Sequence, residues 1–402
     1  MKIAAFNLEN LFDRPKAFNE EFKDSASETI EAVKKLNVLF EKASYSDTDK
    51  AKMLELAAVL ELNRYNAGPL ALIRKIRGAI FRRPRNGGIE VVADGRDSWI
   101  GWAELKASAV DDVAVLNTGR VIRDVDADIL AVVEAENRVV LRQFIEVVFE
   151  KVKHEIDTPV RPFNEIMLID GNDNRGIDVG LMTKEGYKIG MMRSHIHDTL
   201  KDLHEEELKG DVLPASLSDD RPVYSRDSPE YAVTTPSGEV VWIIPNHFKS
   251  KFGRNYRYST DKRTAQSIYT RAIYERLRNQ GHDKIVILGD LNDTPDSDAL
   301  LPLLEKSDLK DVSVHDCFDP GEFKGRKNSD EKGIGTYDLG NDSDKIDYIL
   351  LSPALFDRVT AAGLFRKGAW PGSKPKRWTV YPELTKKEHA ASDHHVIWVT
   401  ID

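Results

Sequence analysis

Apolar runs along this chain stop abruptly, and each stops on polar residues. Lys2–Phe6 runs into Asn7, Leu8, Glu9 and Asn10. Asp128–Val133 (DILAVV) ends on Glu134, with Glu136 and Asn137 just beyond. Val240–Pro245 leads into Asn246 and His247, and Ile285–Leu288 stops at Gly289-Asp290-Leu291-Asn292. Short unbroken apolar runs of this kind predict strands buried on both faces. Ending such a strand on a carboxylate or an amide is costly unless the polar group is used there. Further strands are predicted at Glu165–Asp170, Asp178–Thr183, Tyr187–Arg193, Ile346–Leu351 (opened by Asp347) and Val396–Ile401, the last preceded by Ser392-Asp393-His394-His395. Tyr231–Thr235 forms a hairpin with Val240–Pro245 across Ser237-Gly238.

Helical periodicity fills much of the rest. It predicts helices over Ala109–Asp124, Val139–Val152, Asp261–Arg278 and Asp298–Glu305. Asn19–Val110 has a different texture: helices at Ser27–Phe40 and Asp49–Tyr65, a third at Leu70–Phe81 after Gly68-Pro69, then a hairpin of Ile89–Ala93 with Ser98–Ala103. This stretch is expected to be a mainly helical insertion. It leaves just after Asn7–Asn10 and returns just before the Glu134 strand, so it is expected to cap the mouth of whatever those strand ends form. Its Arg74, Lys75, Arg77, Arg82, Arg83 and Arg85 run without an acidic residue between them, as a solvated helix face or a nucleic-acid patch.

Bulk properties narrow the classes. With 402 residues, 41% hydrophobic and 31% charged, the chain has material for an ample core. A formal charge of −9 argues against a general polyanion binder but permits local basic patches. Cys317 is the only cysteine, which excludes an intrachain disulfide. No apolar run approaches a membrane span, and MKIAAFNLENLF is too polar for a signal peptide, so a cytoplasmic location is expected.

The polar residues at strand ends form one set: Asn7, Glu9, Glu134, His247, Asp290, Asn292, Asp347, Asp393 and His394. Carboxylates and amides with two histidines and no thiolates suit a hard, oxygen-preferring ion such as Mg²⁺ or Mn²⁺. An Asp that opens one strand and a His that precedes another can make a carboxylate-oriented imidazole. His195, His197 and His204 have a spacing that invites zinc, but no cysteine supports it, and a solvated acidic loop accounts for them. Arg175 with Asp178 reads as a local ion pair, and His395, alternating away from His394, as structural.

The motifs FNLEN, ILAVVEAEN, RGIDVGLM, YSRDSPEY, PNHFKSK, GDLNDTPDS, DKIDYILLSP and SDHH follow one another in order. Together they resemble the endonuclease/exonuclease/phosphatase superfamily with the DNase I-like fold, and its bacterial nuclease-type members in particular. The resemblance covers Met1–Arg14 and about Asp111–Asp402; Val396 stands where the family often has Pro, and Asn19–Val110 has no counterpart in the common core. It implies an α/β four-layer α-β-β-α sandwich forming a single catalytic domain over 1–402, with the insertion at 19–110 within it. It further implies Glu134 as principal metal ligand helped by Asn7 or Glu9, and Asp393 as a second-site ligand. Asp290 and Asn292 would orient the attacking water and hold the phosphate. His394, oriented by Asp347, would sit beside the scissile phosphate, with His247 and Arg226 as phosphate contacts. The expected function is divalent-metal-dependent phosphodiester hydrolysis with DNA or RNA as substrate. The alternative is a phosphomonoesterase, or a phosphodiesterase acting on a small phosphate ester or a lipid head group, at the same site.

Overall fold

The computed structural model describes residues 1–9, 23–85, 87–106, 111–173, 176–203, 208–218, 220–251, 256–325, 330–374 and 376–402. Asn10, Arg175 and His204 lie outside these residues. The strands in chain order are β1 (Lys2–Asn7), β2 (Ala71–Arg77), β3 (Phe81–Arg82), β4 (Glu90–Val91), β5 (Ile100–Leu105), β6 (Ile129–Ala135), β7 (Phe163–Leu168), β8 (Asp178–Lys184), β9 (Lys188–Arg193), β10 (Glu230–Thr234), β11 (Val240–His247), β12 (Ile285–Asp290), β13 (Lys310–Asp311), β14 (Phe318–Asp319), β15 (Asp347–Leu351), β16 (Val359–Phe365) and β17 (Val396–Ile401). Two compact units divide the chain, one made of Met1–Phe12 with Val110–Asp402, the other of Asp13–Ala109.

The larger unit holds a seven-stranded sheet, ordered β14-β16-β17-β1-β6-β8-β7, and a six-stranded sheet, ordered β13-β15-β12-β11-β10-β9. Most neighbours are antiparallel, but β1 with β6, β11 with β12 and β14 with β16 are parallel. Alternate residues of each central strand point to opposite faces, and both faces are buried. Ile3, Ala5, Ile129 and Ala131 pack between the sheets against Val241, Ile243, Val286, Leu288 and Ile349. Ala4, Phe6, Leu130 and Val132 pack the other way, in a cluster with Val121, Leu141 and Phe149 from helical segments. Ile244, Ile285 and Ile287 pack with Ala265, Tyr269 and Ile273 of the helix Tyr256–Asn279. The layers are therefore helix, sheet, sheet, helix. This double burial is why the strands read as unbroken apolar runs, and each fully buried Val, Leu or Ile contributes roughly 1.5–3 kcal/mol.

Two helices flank the Glu134 strand. Asp111 caps Asp112–Val125 by accepting from the Val113 N–H at 2.9 Å, and Asn137 caps Arg138–Phe144 through the Val140 N–H at 2.9 Å. The second helix widens into a π turn at Ile145–Phe149 before closing at Glu150–Lys153, where one continuous helix was expected. The helix expected at Asp298–Glu305 shortens to Leu301–Leu304.

The smaller unit has its own core, with Leu36, Phe40, Met53, Leu60, Ile73 and Trp99 buried together. Its helices are Lys23–Phe40 and Asp47–Val59. The second stops short of Tyr65 because Glu61 turns through a positive φ of 55°. The third expected helix is absent: Leu70–Phe81 contains β2, antiparallel to β5, and the start of β3. Helical spacing would have buried Ile76, which is 72% exposed, whereas the period-two pair Ala71 and Ile73 is buried. The expected hairpin of Ile89–Ala93 with Ser98–Ala103 does not form either, since β4 pairs with β3 and β5 with β2.

Candidate active site

Register brings the polar strand ends to one place. Asn7 stands opposite Val133 across the parallel pair β1 and β6, so β6 delivers Glu134 one residue later. His247 stands opposite Asp290 across β11 and β12, and Asp290 stands opposite Asp347 across β12 and β15. The two sheets meet through these side chains. The Asn7 amide nitrogen lies 3.4 Å from Asp290 Oδ2 and 3.3 Å from His394 Nε2. His247 Nε2 lies 3.8 Å from Glu134 Oε1 and 3.7 Å from Asp290 Oδ2.

The backbone is bent to aim these groups. Glu134 has φ 62° and sits at a register shift of β6 against β8, a bulge that re-aims its side chain. Asn292 has φ 55° and Glu9 φ 39°. Non-glycine residues in the left-handed region cost on the order of 1–3 kcal/mol each and gather at functional sites. Gly289, at φ 121°, lets β12 lie against β11 immediately before Asp290; a Cβ there would stand 2.2 Å from the Asn246 carbonyl oxygen. Asp290 is then fixed by Asn292, whose backbone N–H donates to Oδ1 at 2.8 Å and whose side-chain amide donates to Oδ2 at 2.9 Å.

His394 and Asp347 form a buried pair, with Nδ1 2.8 Å from Asp347 Oδ2. Thr336 holds the carboxylate strand from below: its hydroxyl accepts from the N–H of Ile346 at 3.0 Å and of Asp347 at 2.9 Å. Its carbonyl accepts from the His395 N–H at 2.7 Å. The Tyr337 ring meets His394 edge-on at 5.0 Å. Glu9 accepts from the Asp393 N–H at 2.9 Å, and Asp393 Oδ1 lies 3.8 Å from His394 Nε2.

This crowding shifts proton affinities. Burial, then the neighbouring Asp347 carboxylate, pushes Asp290 up to about 7. Burial, then Asp393, pushes Glu9 up to about 8. Asp393 is raised as well, chiefly by burial. Burial pulls His394 down, but Asp347 and then Asp393 and Asp290 outweigh it, and the imidazole is held well above its ordinary value. Donor atoms of Asp290, Asp347 and His394 lie within 4.8 Å of one another. An excess of buried carboxylates, destabilised as anions, is a donor set that a divalent cation fits.

The other candidates fall at varying depths. Arg226 is buried, with Nε 2.9 Å from Asp173 Oδ2 and Nη1 donating to the Phe248 carbonyl at 3.4 Å. The Asn292 amide donates to that same carbonyl at 3.2 Å, which ties the two together. Asp178 accepts from the Gly171 N–H at 2.7 Å, and burial pushes it up to about 7. His395 is buried edge-on against Trp378 at 4.9 Å and is held well below its ordinary value by burial. His195 corrects the solvated-loop expectation: it is 4% exposed, with Nδ1 2.5 Å from Asp198 and Nε2 2.6 Å from Glu230. His197 is exposed. Thr336, Tyr337 and Asp173 were missed from the sequence. None ends an apolar strand; the signal for the first two was Gly335-Thr336-Tyr337 placed shortly before the Asp347 strand.

Residues 89–368 match the model of the Endonuclease/Exonuclease/phosphatase family. The chain belongs to that family. Its members hydrolyse phosphoester bonds. Solved structures similar to it include a mannosyl-6-phosphatase of Bacteroides thetaiotaomicron, at 13% identity over 72% of this chain and 90% of that one, with a TM-score of 0.45. A truncated Caenorhabditis elegans TDP2 gives 14% identity over 72% and 89%, with a TM-score of 0.43. The human Nocturnin catalytic domain gives 14% over 72% and 87%, also with a TM-score of 0.43. No curated protein matches the sequence.

Proposed function

We propose that this family member is a divalent-metal-dependent phosphodiester hydrolase, using Mg²⁺ or Mn²⁺, and that its substrate is DNA or RNA. The observation that carries the reading is the convergence of Asn7, Glu134, His247, Asp290, Asn292 and the Asp347–His394 pair at one buried edge. Glu134 with Asn7 would hold the cation, with Glu9 and Asp393 available to a second ion. The bound ion would neutralise charge building on the phosphoryl oxygens.

The chain's own groups supply the rest. Asp290, fixed through both oxygens by Asn292, orients water for in-line attack and accepts its proton near neutral pH. His394, kept protonated by Asp347, opposes negative charge at the phosphoryl group. His247 and Arg226 would contact the phosphate. The alternative, a phosphomonoesterase or a small-ester phosphodiesterase, uses the same groups. The acidic net charge of −9 is what favours it.

A hydrolysis panel separates the two: single- and double-stranded DNA, RNA, a small phosphodiester and phosphomonoesters, each with Mg²⁺, Mn²⁺ or EDTA. Polynucleotide cleavage that requires the ion is expected. Cleavage of monoesters alone would move the assignment to the alternative.

A further inference from the structure

The helix Tyr256–Asn279 forms one wall of a cavity of about 230 Å³, whose polar lining is Ser216, Ser218, Arg221, Tyr258 and Lys262. None of the strand-end residues belongs to it. Three other cations on this helix each meet a carboxylate: Arg263 meets Asp293, Arg271 meets Asp211 and Arg276 meets Glu230. Lys262 differs from these three. It is 8% exposed, and its ammonium donates to the Pro222 carbonyl rather than to a carboxylate among the described residues. Arg221, exposed to solvent, lines the same cavity. Among the described residues, Asp261 accepts from the Ser216 hydroxyl and Asp220 pairs with Lys201. A buried cation without a counter-charge is expensive to keep, and Lys262 with the exposed Arg221 on the same cavity calls for an anion.

We propose that this cavity is a binding site for a phosphate group, with Lys262 at its back, Arg221 as the second cation and the Ser218 and Tyr258 hydroxyls as further donors. Burial, then Arg221 and Lys249, lowers the Lys262 pKa to about 8, and an anion would restore the charge. The group is either a phosphate of a polynucleotide away from the scissile bond or a free phosphate. The site stands on its own contacts and does not depend on the hydrolase reading.

Reductive methylation with formaldehyde probes it directly. The aldehyde carries no anion of its own; it condenses with a neutral lysine amine and releases water. Borohydride then reduces the C=N bond, and peptide mass spectrometry locates the tag. At pH 8 about half of Lys262 is neutral, against well under a hundredth of an ordinary exposed lysine, so Lys262 should be tagged at least about tenfold faster than exposed Lys387. Inorganic phosphate should suppress the tag, Arg221→Gln should weaken that protection about fivefold or more, and Arg221→Lys should retain it. Tagging of Lys262 at the Lys387 rate, or tagging that phosphate does not suppress, would overturn the proposal. Protection by a short oligonucleotide, measured in Asp290→Asn, assigns the site to the substrate. Protection by inorganic phosphate alone assigns it to a free ligand. Because tagging needs no turnover, its outcome is separate from whether the enzyme cleaves anything.

Discussion

At the scale of single residues, the candidate site is held together at a cost in stability. Asp290 is raised to about 7, so the folded state binds its proton more tightly than the unfolded chain does. The sign follows: between the unfolded value near 4 and the folded value, stability falls as pH rises. In EDTA, Asp290→Asn should flatten that fall and melt no lower than wild type at pH 8, while lowering turnover by on the order of 10²–10⁴ in the presence of metal. Melting curves from pH 4 to 8 beside single-turnover rates check both halves. Thr336 offers a sharper test. Thr336→Val keeps the shape but removes the acceptor shared by the Ile346 and Asp347 N–H groups, whereas Thr336→Ser keeps it. Valine should lower kcat at least about tenfold with little change in KM, and serine should retain activity.

At the scale of elements, the strands that bring the polar ends together were legible because burial on both faces leaves an unambiguous apolar run. Their polar endings were legible because a buried run has no structural use for them. What the sequence hid was local. The bulge at Glu134 and the left-handed Asn292 are set by neighbouring strands and leave no period in the sequence. In Leu70–Phe81 helical and strand spacings both fit the apolar positions, and pairing with β5 decided for the strand. The basic run there is also less available than it looked. Arg74 pairs with Glu104 and Arg82 with Glu90, while Arg83 donates to the carbonyls of Leu62, Asn63 and Tyr65. Arg83→Ser should therefore lower the melting temperature of the smaller unit, whereas Arg82→Ser should leave it nearly unchanged. Calorimetry on each variant checks this.

His195 makes a comparable point in the larger unit. Burial lowers its proton affinity, but the Asp198 and Glu230 carboxylates outweigh burial and the net shift is upward. The stability it adds is present in full below the unfolded value near 6.5 and is lost as pH rises through the folded value. His195→Gln should cost more in melting temperature at pH 6 than at pH 9. An equal cost at both would show that the ring contributes packing alone.

At the scale of the whole molecule, the two units carry separate cores, and every candidate catalytic side chain lies in the larger one. Among the described residues no helix is long and apolar enough to cross a membrane. The family and the layered fold followed from motifs in order and strands in register. The substrate did not, because the strand-end set serves phosphomonoester and phosphodiester cleavage alike. The account rests on that set being a metal-dependent phosphodiesterase centre. The most direct test is the rate of hydrolysis of bis(p-nitrophenyl) phosphate with Mn²⁺, measured for wild type, Glu134→Gln and His394→Ala and repeated in EDTA. The account predicts ion-dependent hydrolysis by wild type, abolished by EDTA and reduced by on the order of 10²-fold or more in each variant with the fold intact. Hydrolysis that persists in EDTA, or that either variant carries out at the wild-type rate, would contradict it.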